Sequence, residues 1–291
     1  MTLMKRTIAI LFHETDATRD LTSYMITGMA DIWREDGHDV IFLFGVTRYV
    51  PADLILVHVD LSVVPDKYLD FAHRYPIVLN GKVKDIRKST ISQNLVKPGD
   101  AYDGKVIVKT DLNYAGVPER IRNSTWLSEN YPRLARLTSF VRPARSNQLA
   151  GVESPSDYRI YNTVREVPSE IFQNKQFVVE KFLPEFENGQ YYIRLFQFLG
   201  DRMTCLRLCA ETPIVNATSR SEREIVEPHP DMIALRHRLK FDYGKFDYVI
   251  HNGQPVLLDA NKTVGGAKKA TGSIQQSNRK YRAAGIYAYF R

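Results

Sequence analysis

Apolar residues run unbroken from Thr7 to Phe12, then return at helical spacing in Leu21, Tyr24, Met25, Met29, Ile32 and Trp33 until Gly37 ends the stretch. Short apolar runs follow at Val40 to Phe44, Leu54 to Val59 and Pro76 to Leu79, and Pro65 opens a helix that the pattern carries to Tyr75. This alternation of strand and helix predicts a small parallel α/β sheet over residues 1–80. Its first turn, Phe12 to Ala17, contains no glycine, so the phosphate-binding turn of a dinucleotide-binding unit is missing and NAD is not expected here.

After Gly81 the texture changes. The pattern predicts a polar helix near Val83 to Leu95, a turn through Pro98, Gly99 and Asp100, and a strand from Lys105 to Thr110. Tyr114 to Asp157 is less periodic, with one helical stretch around Leu134 to Val141 and a polar surface loop from Arg145 to Asp157. The runs Phe177 to Leu183, Tyr191 to Leu199 and Arg202 to Ala210, the last two joined by Gly200 and Asp201, predict an antiparallel meander, and Asp231 to Phe241 an amphipathic helix. The expected fold class is therefore α/β, turning α+β toward the C-terminus, divided at residues 1–80, 81–176 and 177–291.

The segment DYGKFDYVIHNGQPVLLDANKT reads as a β-hairpin that carries carboxylates. Side chains alternate along each strand, so loop length decides which of them meet. A two-residue loop of Asn252 and Gly253 would set Asp247 opposite Leu258. A three-residue loop that includes His251 pairs Ile250 with Gln254 and gathers Asp247, Leu257, Asp259 and Asn261 on one face, with Phe246, Tyr248, Ile250, Val256 and Leu258 on the other. The second register separates polar from apolar residues and is the expectation here. Two carboxylates and an amide oxygen on one face are hard donors that suit Mg²⁺ held together with substrate phosphates; the bland alternative is that Asp247 and Asp259 are separately solvated.

Three further groups are candidates for chemistry. Lys109 ends an apolar strand and is a point charge suited to phosphate oxygens, although a lone lysine there is more often solvent-facing. The strand in VVEKFLPEFENGQYYIR breaks at Pro184, where free backbone groups can meet an adenine edge and a carboxylate can accept from ribose hydroxyls. Arg194 and Arg207, on neighbouring strands, are candidates for stabilising charge on a transferred phosphoryl group, against the plainer role of covering a sheet face.

Composition narrows the picture. With 291 residues, 44% of them hydrophobic, the chain can build two or three subdomains. Its apolar runs are far shorter than a membrane span of about 18 residues. Lys5 and Arg6 precede one short apolar run and no small-residue cleavage pattern, which reads as a first strand of a cytoplasmic protein. Cys205 and Cys209, four apart in one strand, are expected as free core thiols. The net charge of +7 is spread along the chain without a dense basic run, which argues against nucleic acid and is met as well by an anionic small substrate such as a nucleotide. No Gly-x-Ser-x-Gly turn, His-Glu-x-x-His helix or zinc spacing is present.

Taken in order, these residues resemble the ATP-grasp superfamily, in particular its branch of ribosomal-protein glutamate ligases and glutathione-synthetase-like enzymes, over roughly Pro76 to Gly266. The resemblance implies a small N-terminal α/β domain followed by a two-subdomain ATP-grasp fold, with ATP and Mg²⁺ as cofactors. PIVLNGKVKDIRKS supplies the strand-end Asn80 and Lys88, and IVKT supplies Lys109 for the α or β phosphate. VVEKF would place Glu180 and the backbone of Lys181 and Phe182 at the adenine and Glu187 at the ribose, while Asp247, Asp259 and Asn261 would hold the metal. Two departures stand out: the glycine-rich flap is reduced to TDLNYAG, and Asp259 replaces the usual Glu. The implied reaction phosphorylates a small-molecule or peptide carboxylate to an acyl phosphate, which an amine acceptor then attacks. A phosphotransferase that stops at the phosphorylated product and a non-catalytic ATP-binding regulator are the other readings, and a two-fold dimer is the default assembly.

Overall fold

In a computed structural model of the chain, residues 4–130, 152, 154–215, 222–265 and 273–290 are described. Four short strands, β1 (Thr7–Phe12), β2 (Asp39–Phe44), β3 (Leu54–Val57) and β4 (Ile77–Leu79), form a parallel sheet in the order β2-β1-β3-β4. The central strands β1 and β3 are buried almost throughout, which is why both read as continuous apolar runs. Helix Met25–Glu35 packs its Met29 and Trp33 against Ile8, Ile10 and Phe12 on one face. Helix Asp66–Ala72 covers Ala9 and Leu11 on the other; it stops short of Tyr75 because the chain must enter β4 just after Pro76.

The polar helix expected near Val83 to Leu95 shrinks to Lys88–Ile91. Its flanks are captured by other partners: Asp85 takes the Arg87 N–H at 2.9 Å, and the following residues run extended so that Val96 N bonds Val179 O at 2.8 Å. Beyond it, β5 (Val106–Thr110), β6 (Arg159–Tyr161) and β7 (Phe177–Lys181) form a three-stranded antiparallel sheet in the order β6-β5-β7. The expected meander is thus corrected: β7 belongs to this sheet, and the break at Pro184, which cannot donate to a ladder, hands the chain to another.

That other sheet is antiparallel and six-stranded. It comprises β8 (Glu185–Glu187), β9 (Gln190–Leu199), β10 (Arg202–Ala210), β11 (Glu222–Val226), β12 (Tyr243–His251) and β13 (Gln254–Asn261), ordered β11-β10-β9-β12-β13 with β8 beside β9. One face, including Phe196, Phe198, Phe246 and Tyr248, is sealed by Val83, Ile86 and Ile91 and by Met232 and Leu235 of helix Pro230–Arg238. The other face looks toward the three-stranded sheet. Helix Ser273–Ala283 and the 3₁₀ turn Ala284–Phe290 return to the N-terminal sheet, where Ala283 and Ile286 join the Trp33 core and Trp33 Nε1 donates to Ala283 O at 2.9 Å. Both cysteines are free and buried, as expected. Among the described residues no helix is long and apolar enough to cross a membrane. The helical stretch expected at Leu134 to Val141, and residues 145–151 and 153 of the expected loop, lie outside the described residues.

Candidate functional site

The hairpin of β12 and β13 turns on two residues. Asn252 and Gly253 have φ of 49° and 77°, the left-handed pair that closes a two-residue turn, and His251 pairs with Gln254. The expected three-residue loop is therefore corrected. A β-bulge restores the facing that loop was meant to give: Tyr248 pairs with Leu257, Leu258 is the extra residue, and Asp247 pairs directly with Asp259. Leu257 consequently packs with Phe246 and Tyr248 in the core, while Leu258 and Asp259 both line the cavity, the reverse of the two leucines' expected places.

The cavity holds about 340 Å³ between the two antiparallel sheets. Lys88, Lys109, Lys181 and Lys245 line it, together with Asp247, Asp259 and Asn261. Because Val106 and Val108 face the core of the three-stranded sheet, Ile107 and Lys109 face the cavity. Lys109 is not solvent-facing: only 6% exposed, its Nζ lies 2.7 Å from Glu180 Oε2 and 3.5 Å from Leu258 O. Lys88 Nζ sits 3.5 Å from Asp259 Oδ1 and donates to Leu112 O at 3.2 Å. Lys245 Nζ is 2.8 Å from Asp247 Oδ2.

Electrostatics follow from this packing. Burial works against the Lys88 ammonium, but Asp259, Tyr158 and Glu180 outweigh it and hold its pKa above the usual lysine value. Burial likewise opposes a charged Lys245, and Asp247 with Asp259 outweighs it, so this pKa is raised too. Burial raises the Asp247 carboxyl, with Lys245 pulling the other way and Asp259 adding to the rise.

Asp247 Oδ1 and Asp259 Oδ1 are both buried without a hydrogen-bond partner. Two carboxylates paired across a ladder, each with an oxygen that takes no hydrogen bond although Lys88 stands 3.5 Å from that of Asp259, fit a hard divalent cation, and Asn261 Oδ1 supplies a third oxygen, at present bonded by Thr263 N at 2.9 Å. Among the described residues no group of three or more His, Cys, Asp or Glu gathers, so the donor set is these two carboxylates and the amide.

Not every expected residue reaches the cavity. Asp247 pairs with Leu195, which puts Leu195 on the cavity face and its neighbour Arg194 on the opposite one, where Arg194 pairs with Arg207. There Arg194 forks Glu185 at 3.0 and 2.9 Å, and Arg207 bonds Glu185 at 2.9 Å and Glu187 at 2.6 Å. Both arginines and Glu187 thus form a separate cluster behind the Pro184 break, and Glu185 also takes the Ile250 N–H at 2.8 Å. Glu180 turns its side chain to Lys109. Lys181 and Phe182 line the cavity, but their N–H groups are engaged by Asn94 O and Lys105 O, each at 2.8 Å.

No protein-family model matches this chain, and no curated protein matches it in sequence. Solved structures do. A D-alanine–D-alanine ligase from Bacillus anthracis is 10% identical, covers 99% of this chain over 96% of its own, and superposes with a TM-score of 0.49. A RimK domain ATP-grasp protein from Sphaerobacter thermophilus is 12% identical over 98% of both chains, with a TM-score of 0.46. A macrocyclase from Microcystis aeruginosa is 12% identical and covers 98% of this chain, with a TM-score of 0.42.

Sequence reasoning missed Lys245, although its position two residues before Asp247 places it on the same strand face. It also missed a polar knot at the C-terminal ends of β1 and β3. Arg122 bonds Asp16 at 2.9 Å, and Asp60 accepts from Tyr24 OH at 2.8 Å and from Thr263 Oγ1 at 2.6 Å, tying the residues just past Asn261 to the N-terminal sheet. Beside it Lys262 is buried with no hydrogen bond to its Nζ. Burial lowers its pKa to about 8, opposed by Asp60, Glu119 and Asp85.

Proposed function

We propose that the cavity binds ATP with magnesium in the manner of an ATP-grasp enzyme, and that the chain joins a carboxylate to an amine through an acyl phosphate. The observation that carries this reading is the Asp247–Asp259 pair, with one oxygen on each that takes no hydrogen bond, set among four lysines in one cavity. Lysines suit polyphosphate oxygens, facing carboxylates suit a divalent cation, and only a ligand that brings both satisfies the two sets together.

In this reading Lys88 and Lys109 hold the phosphates, while Lys181, Phe182 and Leu183 border the base. Asp247, Asp259 and Asn261 would hold magnesium, which when bound would offset charge on the transferred phosphoryl group. Lys245, bonded to Asp247 and lining the same cavity, would be a further cation for the phosphates. A substrate carboxylate oxygen attacks the γ-phosphorus, and the bond from that phosphorus to the β-phosphate oxygen breaks. ADP leaves, and an amine nitrogen then attacks the acyl carbon, losing a proton as phosphate departs. A small-molecule or peptide carboxylate and an amine are the reactants, and no side-chain nucleophile is required.

Isothermal titration with a non-hydrolysable ATP analogue, with and without Mg²⁺, tests the binding half; an absence of binding in both conditions would refute it. ADP release that requires both a carboxylate and an amine tests the ligase half, and ADP release with a carboxylate alone would make the chain a phosphotransferase.

A further inference from the structure

The candidate metal ligands already have partners within the chain. Lys245 pairs across the ladder with Asn261 and along its own strand bonds Asp247 at 2.8 Å, so its side chain shares one face with all three donors. Lys88 approaches Asp259, and Asn261 Oδ1 is held by Thr263. Neither lysine is a loose surface group: Lys88 is 2% exposed, and the Lys245 side chain is 20% exposed.

A divalent cation that reached Asp247 and Asp259 alone would have to sit beside two ammonium groups in a poorly solvated space. Like charges at that separation repel strongly, and the carboxylates are already neutralised. A polyphosphate changes the balance, because its oxygens offer Lys245 and Lys88 a new acceptor and free the carboxylates for the metal.

The geometry points to Lys245 as a resident cation that keeps Asp247 engaged, so that a divalent metal enters this site only together with a polyphosphate. The inference rests on the nucleotide reading above, but its decisive arm does not need the nucleotide. Removal of the Lys245 charge should create a metal site in the nucleotide-free protein.

The experiment titrates the folded protein with Mn²⁺, followed by the electron paramagnetic resonance signal of free Mn²⁺, with and without a non-hydrolysable ATP analogue. Wild-type protein should bind Mn²⁺ at least about ten-fold more tightly with the analogue than without it. Lys245→Gln should bind Mn²⁺ without the analogue about ten-fold more tightly than wild type, and Lys245→Arg, which restores the charge, should behave as wild type. Tight Mn²⁺ binding by nucleotide-free wild type overturns the proposal whatever the variants do, as does equal nucleotide-free binding by wild type and Lys245→Gln. Should Lys245→Gln not fold, Lys245→Met, which keeps the length of the stem without the charge, makes the same test. Failure of the analogue to bind at all removes the nucleotide reading, while the nucleotide-free comparison still decides the role of Lys245.

Discussion

Asn80 and Asp242 exchange reciprocal hydrogen bonds, 2.7 Å from Asn80 N to Asp242 Oδ2 and 3.0 Å from Asp242 N to Asn80 Oδ1. Asn80 is buried at φ 57°, a backbone conformation that asparagine tolerates better than most residues, and its amide also bonds Tyr243 N and O. This fastens the end of β4 to the start of β12. Asn80→Ala should therefore destabilise the fold by about 3 kcal/mol, measured by urea denaturation, since it unpairs buried backbone groups and strains the turn.

The buried Lys109–Glu180 pair makes a second expectation. Lys109→Met leaves the buried Glu180 without its ion-pair partner, and should cost about 3 kcal/mol of stability. The double variant with Glu180→Gln should recover most of that loss while still binding an ATP analogue weakly. A double variant as unstable as the single one would show that the pair is not the source of the effect.

Asp259→Asn should remove the magnesium-dependent part of analogue affinity, lowering it by about ten-fold or 1.4 kcal/mol in titration calorimetry with Mg²⁺, with little change when Mg²⁺ is absent. Equal affinities for wild type and variant in Mg²⁺ would exclude Asp259 from the metal.

Arg207 lies on the far sheet face, bonded to Glu185 and Glu187. Arg207→Gln should leave analogue affinity within about three-fold of wild type, because groups without shared partners act independently. A loss as large as that from Asp259→Asn would return the arginine to the phosphates.

Lys262 has a folded pKa of about 8, against 10.5 for an ordinary lysine, so between those limits it is neutral in the fold but protonated in the unfolded chain. The unfolded chain then binds more protons, and stability should rise with pH across that window. Below pH 8 the buried ammonium is a burden of about 3 kcal/mol. Lys262→Met should therefore raise stability at pH 7, with the gain fading by about pH 10. A gain that does not change with pH would point to packing instead.

Strands whose burial is decided by their own composition were legible: Thr7–Phe12 and Arg202–Ala210 follow directly from apolar runs and the Gly200–Asp201 turn. The carboxylate face of the hairpin was legible too, but not its means. The polar and apolar sets demanded that Asp247 and Asp259 face the same way, whereas the turn chemistry of Asn252 and Gly253 demanded two residues. Only a bulge reconciles them, and nothing local announces it. The side on which Arg194 and Arg207 stand depends on the pairing of β9 with β12, residues some fifty positions apart in sequence. Burial of Lys109 likewise depends on Glu180, brought beside it by the pairing of β5 with β7.

The return of Ala283 and Ile286 to Trp33 has a consequence during synthesis. The indole N–H waits for a carbonyl 250 positions downstream. At about 5–20 residues per second, a ribosome needs roughly 12–50 s to deliver it. Through that interval Ile8 and Ile10 of the first strand and Trp33 of the helix over it form a nascent core with one wall missing, a surface that chaperones or proteases would meet before the finished protein exists. Stalling or truncation upstream of Ala283 should thus damage the first strand made as much as the last helix.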